Sequence, residues 1–496
     1  MHQASQGPAS GENEAPAKEE YDPTDPHDLV KFLVDVDIRL VRASFLRQLP
    51  QGSGFPRRQE AEHLQTNESK KALVDAADLW VWADMQRSQN KPGETIYAVS
   101  HCWENTKHPD PFRHQLRALV DAAFVADRDW IFIDYISIYQ RKRSEEQERN
   151  FQKALQNMHV LFMHDFTTTL CIQGFASREE RDGCNERTVL IYQEDVDAIV
   201  QCPATGAFFE PPTIPFEHRG WCQAEVQWSH MRSWPKLVRL DGAGKSWPVQ
   251  VPMHPDTFKQ RLAEELHFSQ DGDAELVAQL QGKAFREKAA RCEFLHLDSM
   301  KADQLPLLTA ALPHLEQLVR LSLGSVGLGE VDAIRLSSVL KAKNSVRILF
   351  LDGNQLQDTG AAALADALKV NSVLQILSLR KNGIRDDGAA AIADSLKLNK
   401  SLREICFNTN EIHDAGAVAF SQTLAANASL EILGLSNNPV GDAGALALAN
   451  ALTSNTSLKE LDLRWNPQIT ISAACKLGPR ARLDEAQSVS CCCGMM

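Results

Sequence analysis

The stretch Val346–Asn354, which reads VRILFLDGN, decides the fold of the C-terminal part of this chain, because its pattern returns at a fixed interval. Each copy has apolar residues eight, five and three positions before a closing asparagine, and successive copies lie 28 residues apart. Such a period is typical of a solenoid, whose stacked units contact only their neighbours. The pattern therefore predicts an extended recognition surface. The closing asparagines are Asn354, Asn382, Asn410, Asn438 and Asn466.

Each unit is expected to contain one short strand and one helix. The alternating apolar residues predict the strand, and the Ala-rich segment that follows the asparagine, such as Asp358–Leu368, predicts the helix. We expect the asparagine to bond backbone groups of the turn that it closes, because an apolar side chain would leave them unsatisfied. Glycines with the same period should let the helices pack closely against the strand layer. These glycines are Gly360, Gly388, Gly416 and Gly444.

The array has weaker copies at its front edge, which places it between residues 291 and 475. Val326 replaces the asparagine in one of these copies and Met300 replaces it in the other, as expected for the end cap of a solenoid. The helix-containing 28-residue unit resembles the ribonuclease-inhibitor type of leucine-rich repeat, which is found in NOD-like receptors. This resemblance implies an α/β horseshoe with a concave strand face.

The concave face is expected to bind a protein partner, because its outward strand positions vary freely from unit to unit. Phe350 and Trp465 are the expected aromatic anchors, since aromatic side chains dominate many interfaces. The mixed charge of the other positions does not identify the partner. The complete expected set is Arg347, Phe350, Arg380, Arg403, Glu431, Asp462, Arg464 and Trp465.

Length and composition limit the remaining possibilities. A chain of 496 residues, with 24% charged and 43% hydrophobic residues, is expected to form two or three globular domains. Its formal net charge of −13 argues against nucleic-acid binding. The sequence begins without an apolar leader, and its eleven cysteines contain no Cys-x-x-Cys pair. We therefore expect a cytoplasmic protein without a metal site or a disulfide framework.

Changes in composition divide the chain further. Residues 1–25 are expected to be disordered, and the last residues to form a flexible tail that contains cysteines. Between these ends we expect a helical segment, an α/β domain with an insertion, a helical connector and the repeats. The expected ranges are 1–25 for the disordered start, 26–92 for the helical segment, 93–245 for the α/β domain with its insertion near 174–216, 246–290 for the connector, 291–475 for the repeats and 476–496 for the tail.

The α/β domain is expected to contain a parallel, doubly wound sheet, because strand and helix patterns alternate along it. Its predicted strands are Thr95–Ser100, Trp130–Ile138, Val160–Met163 and Thr167–Ile172, and the helices between them are Gln115–Ala126 and Glu145–Met158. Active sites of such sheets lie at the carboxyl ends of the strands. Here those ends carry Ser100 and Asp134.

Three phrases in this domain carry a second resemblance. They are Tyr97–Trp103 (YAVSHCW), Trp130–Asp134 (WIFID) and Arg219–Glu225 (RGWCQAE). In this order they resemble the fungal heterokaryon-incompatibility (HET) domain and the TIR domain. The TIR resemblance implies that Glu225 drives cleavage of the nicotinamide–ribose bond of NAD, where a carboxylate stabilises an oxocarbenium-like ribose. The implied substrate contacts are Ser100, Trp103, Asp134 and Trp221.

Two functions follow from these patterns. The first is a sensor or adaptor in signalling of the innate-immunity or incompatibility type, whose repeats bind a protein and whose α/β domain self-associates without enzymatic activity or cofactor. The second is an NAD glycohydrolase with NAD as its substrate, Glu225 as its catalytic residue and the repeats as its regulator. A plain scaffold is a third interpretation.

The C-terminal tail offers a separate possibility. Cys493 is the fourth residue from the end, and the last residue is a methionine, which is the frame of a prenylation signal. Two neighbouring cysteines could carry a second lipid, and two lipid anchors are what stable membrane attachment requires. The sequence thus predicts membrane association only if this tail is lipidated, and a free tail is the alternative.

Overall fold

A computed structural model of the chain describes residues 21–50, 53–88, 93–105, 107–182, 188–205, 209, 213–233, 236–240, 248–270, 272–298, 300–342 and 345–484. Three sheets occur among these residues: one of five strands near the N-terminus, one of two strands in the predicted insertion, and one of eight strands that runs through the repeats. No described helix is long and apolar enough to cross a membrane.

The part of the chain before the repeats contains short helices and seven strands within the described ranges. Its elements are α1 (Pro26–Asp35), β1 (Val41–Arg42), α2 (Ala43–Gln48), α3 (Arg58–Ala61), α4 (Ala76–Arg87), β2 (Ile96–His101), α5 (His114–Val120), β3 (Trp130–Phe132), α6 (Asp134–Ser137), α7 (Glu145–Leu155), α8 (Met158–Met163), β4 (Thr167–Ile172), α9 (Arg178–Asp182), β5 (Thr188–Gln193), β6 (Ala198–Pro203), α10 (Gly220–His230), β7 (Leu237–Arg239), α11 (Pro255–Glu264) and α12 (Asp273–Arg291).

The five-stranded sheet has the order β1-β3-β2-β4-β7. Strands β3, β2, β4 and β7 are parallel to their neighbours, whereas β1 pairs with β3 in the antiparallel sense. The chain runs outward from β2 to β3 and then returns past β2 to β4. This reversal is the topological switch point of doubly wound sheets, where ligands bind beyond the carboxyl ends of the strands.

The two longest strands of this sheet lie where the sequence predicts them, at Ile96–His101 and Thr167–Ile172. The strand predicted at Val160–Met163 is wrong, because these residues belong to helix α8. All of α8 is buried, and a short apolar run does not distinguish a buried helix from a buried strand. The strand predicted over Trp130–Ile138 is also too long, since it ends at Phe132 and α6 begins at Asp134.

The N-terminal segment differs in two ways from its predicted form. The helical pattern in residues 60–89 resolves into α3 and α4, which are separated by an irregular segment. Residues 21–25, at the end of the segment expected to be disordered, pack on α1: the Tyr21 side chain is buried, and its ring lies 5.3 Å from that of Phe32. Residues 1–20 lie outside the described residues.

The predicted insertion contains the antiparallel hairpin of β5 and β6, which has its own small hydrophobic core. The hairpin contacts the carboxyl edge of the five-stranded sheet, because the hydroxyl of Tyr135 donates to the carbonyl of Leu190 at 3.2 Å. On the same edge, the amide of Ala176 donates to the Glu104 carboxyl at 3.0 Å. The insertion therefore borders the edge at which a ligand of this sheet would bind.

Helix α12 joins the N-terminal part to the repeats. It packs against α8, α10 and α11, and one continuous hydrophobic cluster extends from α1 through α12 into the repeats. Polar contacts cross the same junction: Lys288 Nζ donates to the carbonyl of Arg232 at 3.2 Å, and the amide of Val251 donates to Gln304 Oε1 at 2.9 Å. The repeats are thus packed directly on the helices that follow the five-stranded sheet.

The repeats alternate strands and helices as the 28-residue period predicts. Their elements are β8 (Phe294–His296), α13 (Leu305–Ala311), β9 (Arg320–Ser322), α14 (Glu330–Ala342), β10 (Ile348–Phe350), α15 (Gln357–Leu368), β11 (Ile376–Ser378), α16 (Asp386–Leu398), β12 (Glu404–Cys406), α17 (Asp414–Leu424), β13 (Ile432–Gly434), α18 (Asp442–Ser454), β14 (Glu460–Asp462), α19 (Ile471–Ala474) and β15 (Ala481–Arg482).

The eight strands of the repeats are parallel and in register. Leu349 pairs with Leu321 on one side and with Leu377 on the other, and the same position continues through the following repeats. These central side chains are at most 1% exposed. Equivalent positions of successive repeats therefore form straight rows across the sheet, with the central row buried beneath it.

The closing asparagines hold the turns of neighbouring repeats together. Asn410 donates from Nδ2 to the carbonyls of Leu379 (2.9 Å) and Phe407 (2.8 Å), and its Oδ1 accepts from the amides of Asn382 (2.9 Å) and Ile384 (3.1 Å). The sequence predicts bonds within the turn that the asparagine closes, but most of the bonds go to the preceding repeat. The five asparagines are 0–8% exposed, so no bulk water replaces these bonds.

A second row of asparagines, which is not among the sequence-based predictions, joins the helix ends of neighbouring repeats. Asn427 donates from Nδ2 to the carbonyls of Leu396 (2.6 Å) and Asn399 (3.2 Å), while its Oδ1 accepts from the amide of Leu430 (2.8 Å). At the end of the row, Arg480 Nη1 donates to the carbonyl of Asn455 at 2.7 Å. The row consists of Asn371, Asn399, Asn427 and Asn455.

The periodic glycines permit close packing, but their nearest neighbours differ from those expected. A Cβ atom at Gly388 would lie 2.6 Å from Asp358 Oδ1 and 3.0 Å from its Cα, both of which belong to the helix of the preceding repeat. The same Asp358 oxygen accepts from the amides of Gly388 (2.9 Å) and Arg385 (2.8 Å). The glycines therefore let a carboxylate of one helix bond the first turn of the next helix.

The first residues of the expected flexible tail are ordered in a strand. Residues from 476 onward are expected to be flexible, but Ala481–Arg482 forms β15, which pairs with β14 at the end of the sheet. Cys475 is disulfide-bonded, which the analysis of cysteine spacing does not foresee. Cys493 lies outside the described residues, so its predicted lipidation stays a prediction.

We predict that Asn410→Ala lowers the free energy of unfolding by about 2–3 kcal/mol, because it leaves buried backbone groups of two repeats without partners. Urea denaturation of the full chain, followed by circular dichroism, measures this loss. Gln375→Ala, at an exposed position just before strand β11, is the control and should change the value by less than about 0.5 kcal/mol. Equal losses in the two variants would contradict the role of the asparagine row.

Candidate functional site

Four titratable or polar side chains meet at the carboxyl edge of the five-stranded sheet. Ser100 and His101 end strand β2, Asp134 follows β3, and Glu225 comes from α10. Helix α10 lies against this edge because its buried face packs on β2 and on the cluster around Cys102 and Cys171. We call Ser100, His101, Asp134 and Glu225 the edge cluster.

His101 and Asp134 form an ion pair within the edge cluster. Nε2 of His101 lies 2.9 Å from Asp134 Oδ1, and Nδ1 bonds Gln115 Oε1, so both ring nitrogens are engaged. Burial alone would lower the pKa of His101, but the Asp134 carboxylate raises it to about 9. Burial opposes ionisation of Asp134 as well, but His101 and the indole N–H of Trp103 hold the pKa of this carboxyl below its usual value.

The pKa of Glu225 is raised, in contrast to that of Asp134. Burial of its carboxyl raises the pKa of Glu225 to about 8, and the charge of Asp134 contributes to this rise. The nearby hydroxyl of Ser100 partly offsets it. Ser100 is 0% exposed, and its hydroxyl lies beside the Glu225 carboxyl. A fully buried hydroxyl beside a carboxyl that keeps its proton near neutral pH is unusual in a purely structural core.

The two tryptophans of the predicted substrate site lie in different places. Trp103 Nε1 donates to Asp134 Oδ2 at 2.7 Å, so its indole borders the edge cluster. Trp221 instead donates to Asp273 Oδ2 of helix α12 at 2.8 Å, and its ring packs 6.3 Å from that of Trp228. Ser100, Trp103, Asp134 and Glu225 are thus brought together, whereas Trp221 belongs to the junction with the connector.

Two further residues of this edge, Gln115 and Glu104, are not among those that the sequence predicts. Gln115, at the start of α5, donates to the carbonyl of Cys102 in addition to its bond with His101, so it fixes the end of β2. Glu104 is 1% exposed, and burial raises its pKa to about 8. Nothing in the spacing of these residues marks them, because they meet only when the loop after β2 folds back over the sheet.

The edge cluster pairs an ionised carboxylate with a protonated carboxyl. At neutral pH Asp134 is charged, and Glu225 keeps its proton, since the two environments move their pKa values apart. Pairs of this kind divide acid and base roles in many active sites. The thiol of Cys102 follows His101 in the sequence, but His101 is not available as its base, because both ring nitrogens of His101 already bond Gln115 and Asp134. The described residues contain no group of three or more ligands that could hold a metal ion.

Apart from Trp465, the predicted partner-binding residues lie in the strands of the repeat sheet or within two residues of them. Arg347, Arg380 and Arg403 are exposed, Phe350, Glu431 and Arg464 are half-buried, and Asp462 is buried. Asp462 is therefore a poor contact for a partner, and its carboxylate bonds Arg464 Nη2 at 2.9 Å. Arg403 Nη1 likewise lies 3.3 Å from Glu431 Oε1, so these two charges partly neutralise each other.

Trp465 lies in a turn and not in a strand of the concave sheet. Its side chain is 67% exposed, and its backbone has a φ of 59°, in the left-handed region. It borders an open groove of about 690 Å³ that follows the asparagine turns past Lys381, Thr409 and Asn437. Of the two expected aromatic anchors, Phe350 thus lies in the strand sheet, whereas Trp465 lies beside the turns.

Comparisons with known proteins identify the repeats. The family model described as Leucine Rich repeat matches residues 342–365, 370–393, 426–449 and 454–470. The C-terminal region therefore contains leucine-rich repeats, a fold consistent with protein binding in signalling. No curated protein matches the chain in sequence.

Three solved structures are similar over parts of this chain. A structure of leiomodin-1 actin-binding site 2 has 22% identity over 28% of this chain and 82% of that one, with a TM-score of 0.26. A TLR13–ssRNA13 complex has 19% identity over 35% and 29%, with a TM-score of 0.25. The internalin inlF from Listeria monocytogenes has 18% identity over 41% and 69%, with a TM-score of 0.26.

We predict that Glu225→Gln becomes more stable than the parent protein as the pH rises from about 4.5 to about 8. In the unfolded chain this carboxyl ionises near 4.5, whereas the folded protein keeps its proton up to about 8, so the parent loses stability over this range. The substituted amide has no proton to lose. Thermal melting at several pH values measures the difference.

The control for this pH series is Glu264→Gln, which removes an exposed carboxyl on α11. Its melting temperature should follow that of the parent at every pH. A constant difference between Glu225→Gln and the parent across the whole range would contradict the raised pKa of Glu225.

Proposed function

We propose that this protein is a signalling adaptor or sensor in which the leucine-rich repeats bind a protein partner on their concave face. The observation that carries the proposal is the in-register parallel sheet, which presents rows of outward side chains above a continuous buried core. A rigid surface of this kind lets many side chains contact a partner without a cost for ordering the backbone.

The contact between the connector and helix α10 supports a link between the repeats and the edge cluster. The amide of Gly220, the first residue of α10, donates to the carbonyl of His267 at 3.0 Å, and the amide of His267 donates to the carbonyl of His218 at 2.8 Å. A Cβ atom at Gly220 would lie 1.9 Å from the Phe268 ring, so only glycine fits there. A change at the connector would therefore move the helix that carries Glu225.

For the N-terminal part we propose a HET- or TIR-like α/β domain that self-associates when the repeats are occupied. The strand order β3-β2-β4-β7 and the placement of Ser100, Asp134 and Glu225 at one edge support this assignment. The contact between connector and α10 provides a physical route for the signal.

The second candidate function is NAD glycohydrolase activity at the edge cluster. The observation that favours it is the meeting of Glu225 with Ser100 and Asp134 beside Trp103. In this mechanism the ionised Glu225 stabilises positive charge on the ribose as the bond to nicotinamide breaks, and water then completes the hydrolysis. Because the pKa of Glu225 is about 8, the rate should rise with pH until this carboxyl has ionised.

The partner-binding proposal predicts that Phe350→Asp removes specific partners without unfolding the chain. Affinity purification with tagged full-length protein, followed by quantitative mass spectrometry, compares the parent, Phe350→Asp and the control Val370→Asp. Val370 is 63% exposed and follows helix α15, away from the strand face. The same proteins should bind the parent and the control and be lost with Phe350→Asp. Identical sets for all three proteins would contradict binding at the strand face.

The enzymatic candidate predicts that purified full-length protein releases nicotinamide from NAD and that Glu225→Ala lowers the rate at least about 100-fold. The control Glu217→Ala, at an exposed position before α10, should keep the parent rate. Chromatographic measurement of nicotinamide tests this activity, also at high protein concentrations that favour self-association. An absence of turnover in the parent protein, or equal turnover in Glu225→Ala, would remove this candidate.

A further inference from the structure

We infer that the N-terminal half of the concave face binds a protein segment in which carboxylates flank an apolar anchor. This inference rests on the proposed partner binding and gives the partner its chemistry. The surface consists of an apolar patch of Ile348, Phe350 and Ile376 and of three arginines around it, Arg320, Arg347 and Arg380. We call these six residues the arginine-flanked patch.

The apolar part of the patch spans two adjacent strands. Ile348 of β10 pairs directly with Ile376 of β11, and Phe350 lies two residues after Ile348 on the same side of the sheet. All three side chains are half-buried, so each keeps apolar surface in contact with solvent. The neighbour of Phe350 on β11 is the small Ser378, which is 3% exposed, so the apolar surface open to a partner is that of Ile348, Phe350 and Ile376.

The three arginines around the patch have no salt bridge within the described residues. Arg320 and Arg347 are exposed, and the guanidinium of Arg320 lies 5.3 Å from the ring centroid of Phe294. Exposed Arg380 bonds Cys406 Sγ at 3.7 Å and interacts with the charges of Asp352 and Glu404. Asp352 itself accepts from the Ser378 hydroxyl and from the amide of Arg380.

The C-terminal half of the same face is different, because its charges are paired with one another. Glu431 contacts both Arg403 (3.3 Å) and Lys459. In the next rows, Asp462 pairs with Arg464 at 2.9 Å, and Glu460 with Arg482 at 2.7 Å. Exposed pairs of this kind add little stability, but they leave little charge available to a partner. Arginines without a salt bridge among the described residues therefore surround the apolar patch, and of these Arg380 also interacts with the charges of Asp352 and Glu404.

A protein segment fits this combination better than a nucleic acid does. Arginine forms strong, often bidentate hydrogen bonds with carboxylates, and central arginine and aromatic side chains dominate binding energy at many protein interfaces. A nucleic acid would need a longer basic track, whereas the chain has a formal net charge of −13 and the surface between these arginines is aliphatic and aromatic. The expected partner is thus an acidic segment with one or two large apolar side chains.

The test begins with selection from a display library of random short peptides on the purified full-length protein. The enriched peptides should combine Asp or Glu with Leu, Ile, Phe or Trp. A synthetic version of the most enriched peptide is then titrated by fluorescence anisotropy against the parent, Arg347→Glu with Arg380→Glu, and the control Arg335→Glu, which reverses an exposed charge on helix α14. The double variant should weaken binding at least about tenfold, the control should stay within about twofold, and added salt should weaken binding to the parent.

The outcomes separate this inference from the proposed function. Peptides that lose binding to Phe350→Asp but not to the double variant, or that lack acidic residues, would overturn the carboxylate specificity and leave protein binding at the strand face intact. An absence of any enriched peptide that depends on Phe350 would contradict both. A labelled single-stranded RNA of random sequence that binds the parent but not the double variant would assign the arginines to a nucleic acid.

Discussion

Buried hydrogen bonds from one asparagine side chain to two neighbouring turns are the interaction on which the repeats depend. A turn inside a solenoid cannot leave its backbone groups unbonded, because water does not reach them. Asn410 satisfies this requirement with both its carbonyl oxygen and its amide group, which together bond the turns of two repeats. Each repeat is thus completed by its neighbour, as in a linear array with nearest-neighbour stability.

A backbone hydrogen bond between neighbouring repeats accompanies the conformation of the residue before each closing asparagine. This residue has a positive φ in every unit, although only Gly353 is a glycine, and the others include Lys381, Thr409 and Trp465. The backbone amide at this position bonds the following repeat, for example from Lys381 to the carbonyl of Asn408 at 3.0 Å. Left-handed backbone costs a side-chain-bearing residue free energy, and here the bonds of the turn offset that cost.

Because these bonds hold the repeats in register, equivalent side chains form rows across the concave face. The charge and polarity of these side chains can differ from one repeat to the next. The strand residues of one row come from successive repeats and pair in register. In the C-terminal half the charges neutralise each other, whereas in the N-terminal half arginines surround half-buried apolar side chains. Two halves built on one backbone pattern therefore offer different surfaces to a partner.

The sequence predicts the repeats well because the 28-residue period repeats a single physical requirement. The asparagine row at the helix ends can be predicted from the sequence in the same way, because Asn399 and Asn427 also lie 28 residues apart. Other features depend on contacts between distant segments. The helix at Met158–Met163 and the turn of Trp221 toward Asp273 follow from packing against α12, which no local pattern encodes.

Among the elements of the edge cluster, the residues at the strand ends were predictable because parallel strands bring their carboxyl ends together. The protonation states of the edge cluster could not be predicted from the sequence, because they follow from burial and from the charges of residues far apart in sequence. Gln115 joined the site only through the folding of the loop after β2. The chemistry of this edge thus required the three-dimensional arrangement.

Hydrogen exchange of the full chain, resolved to single amides, tests the role of the asparagine row most directly. We predict that the turn amides bonded to asparagine side chains exchange as slowly as the amides of the buried strands. These amides are those of Val326, Leu328, Ile384, Ile412 and Val440. Exchange of these amides at the rate of exposed loops, while the strands stay protected, would contradict this prediction.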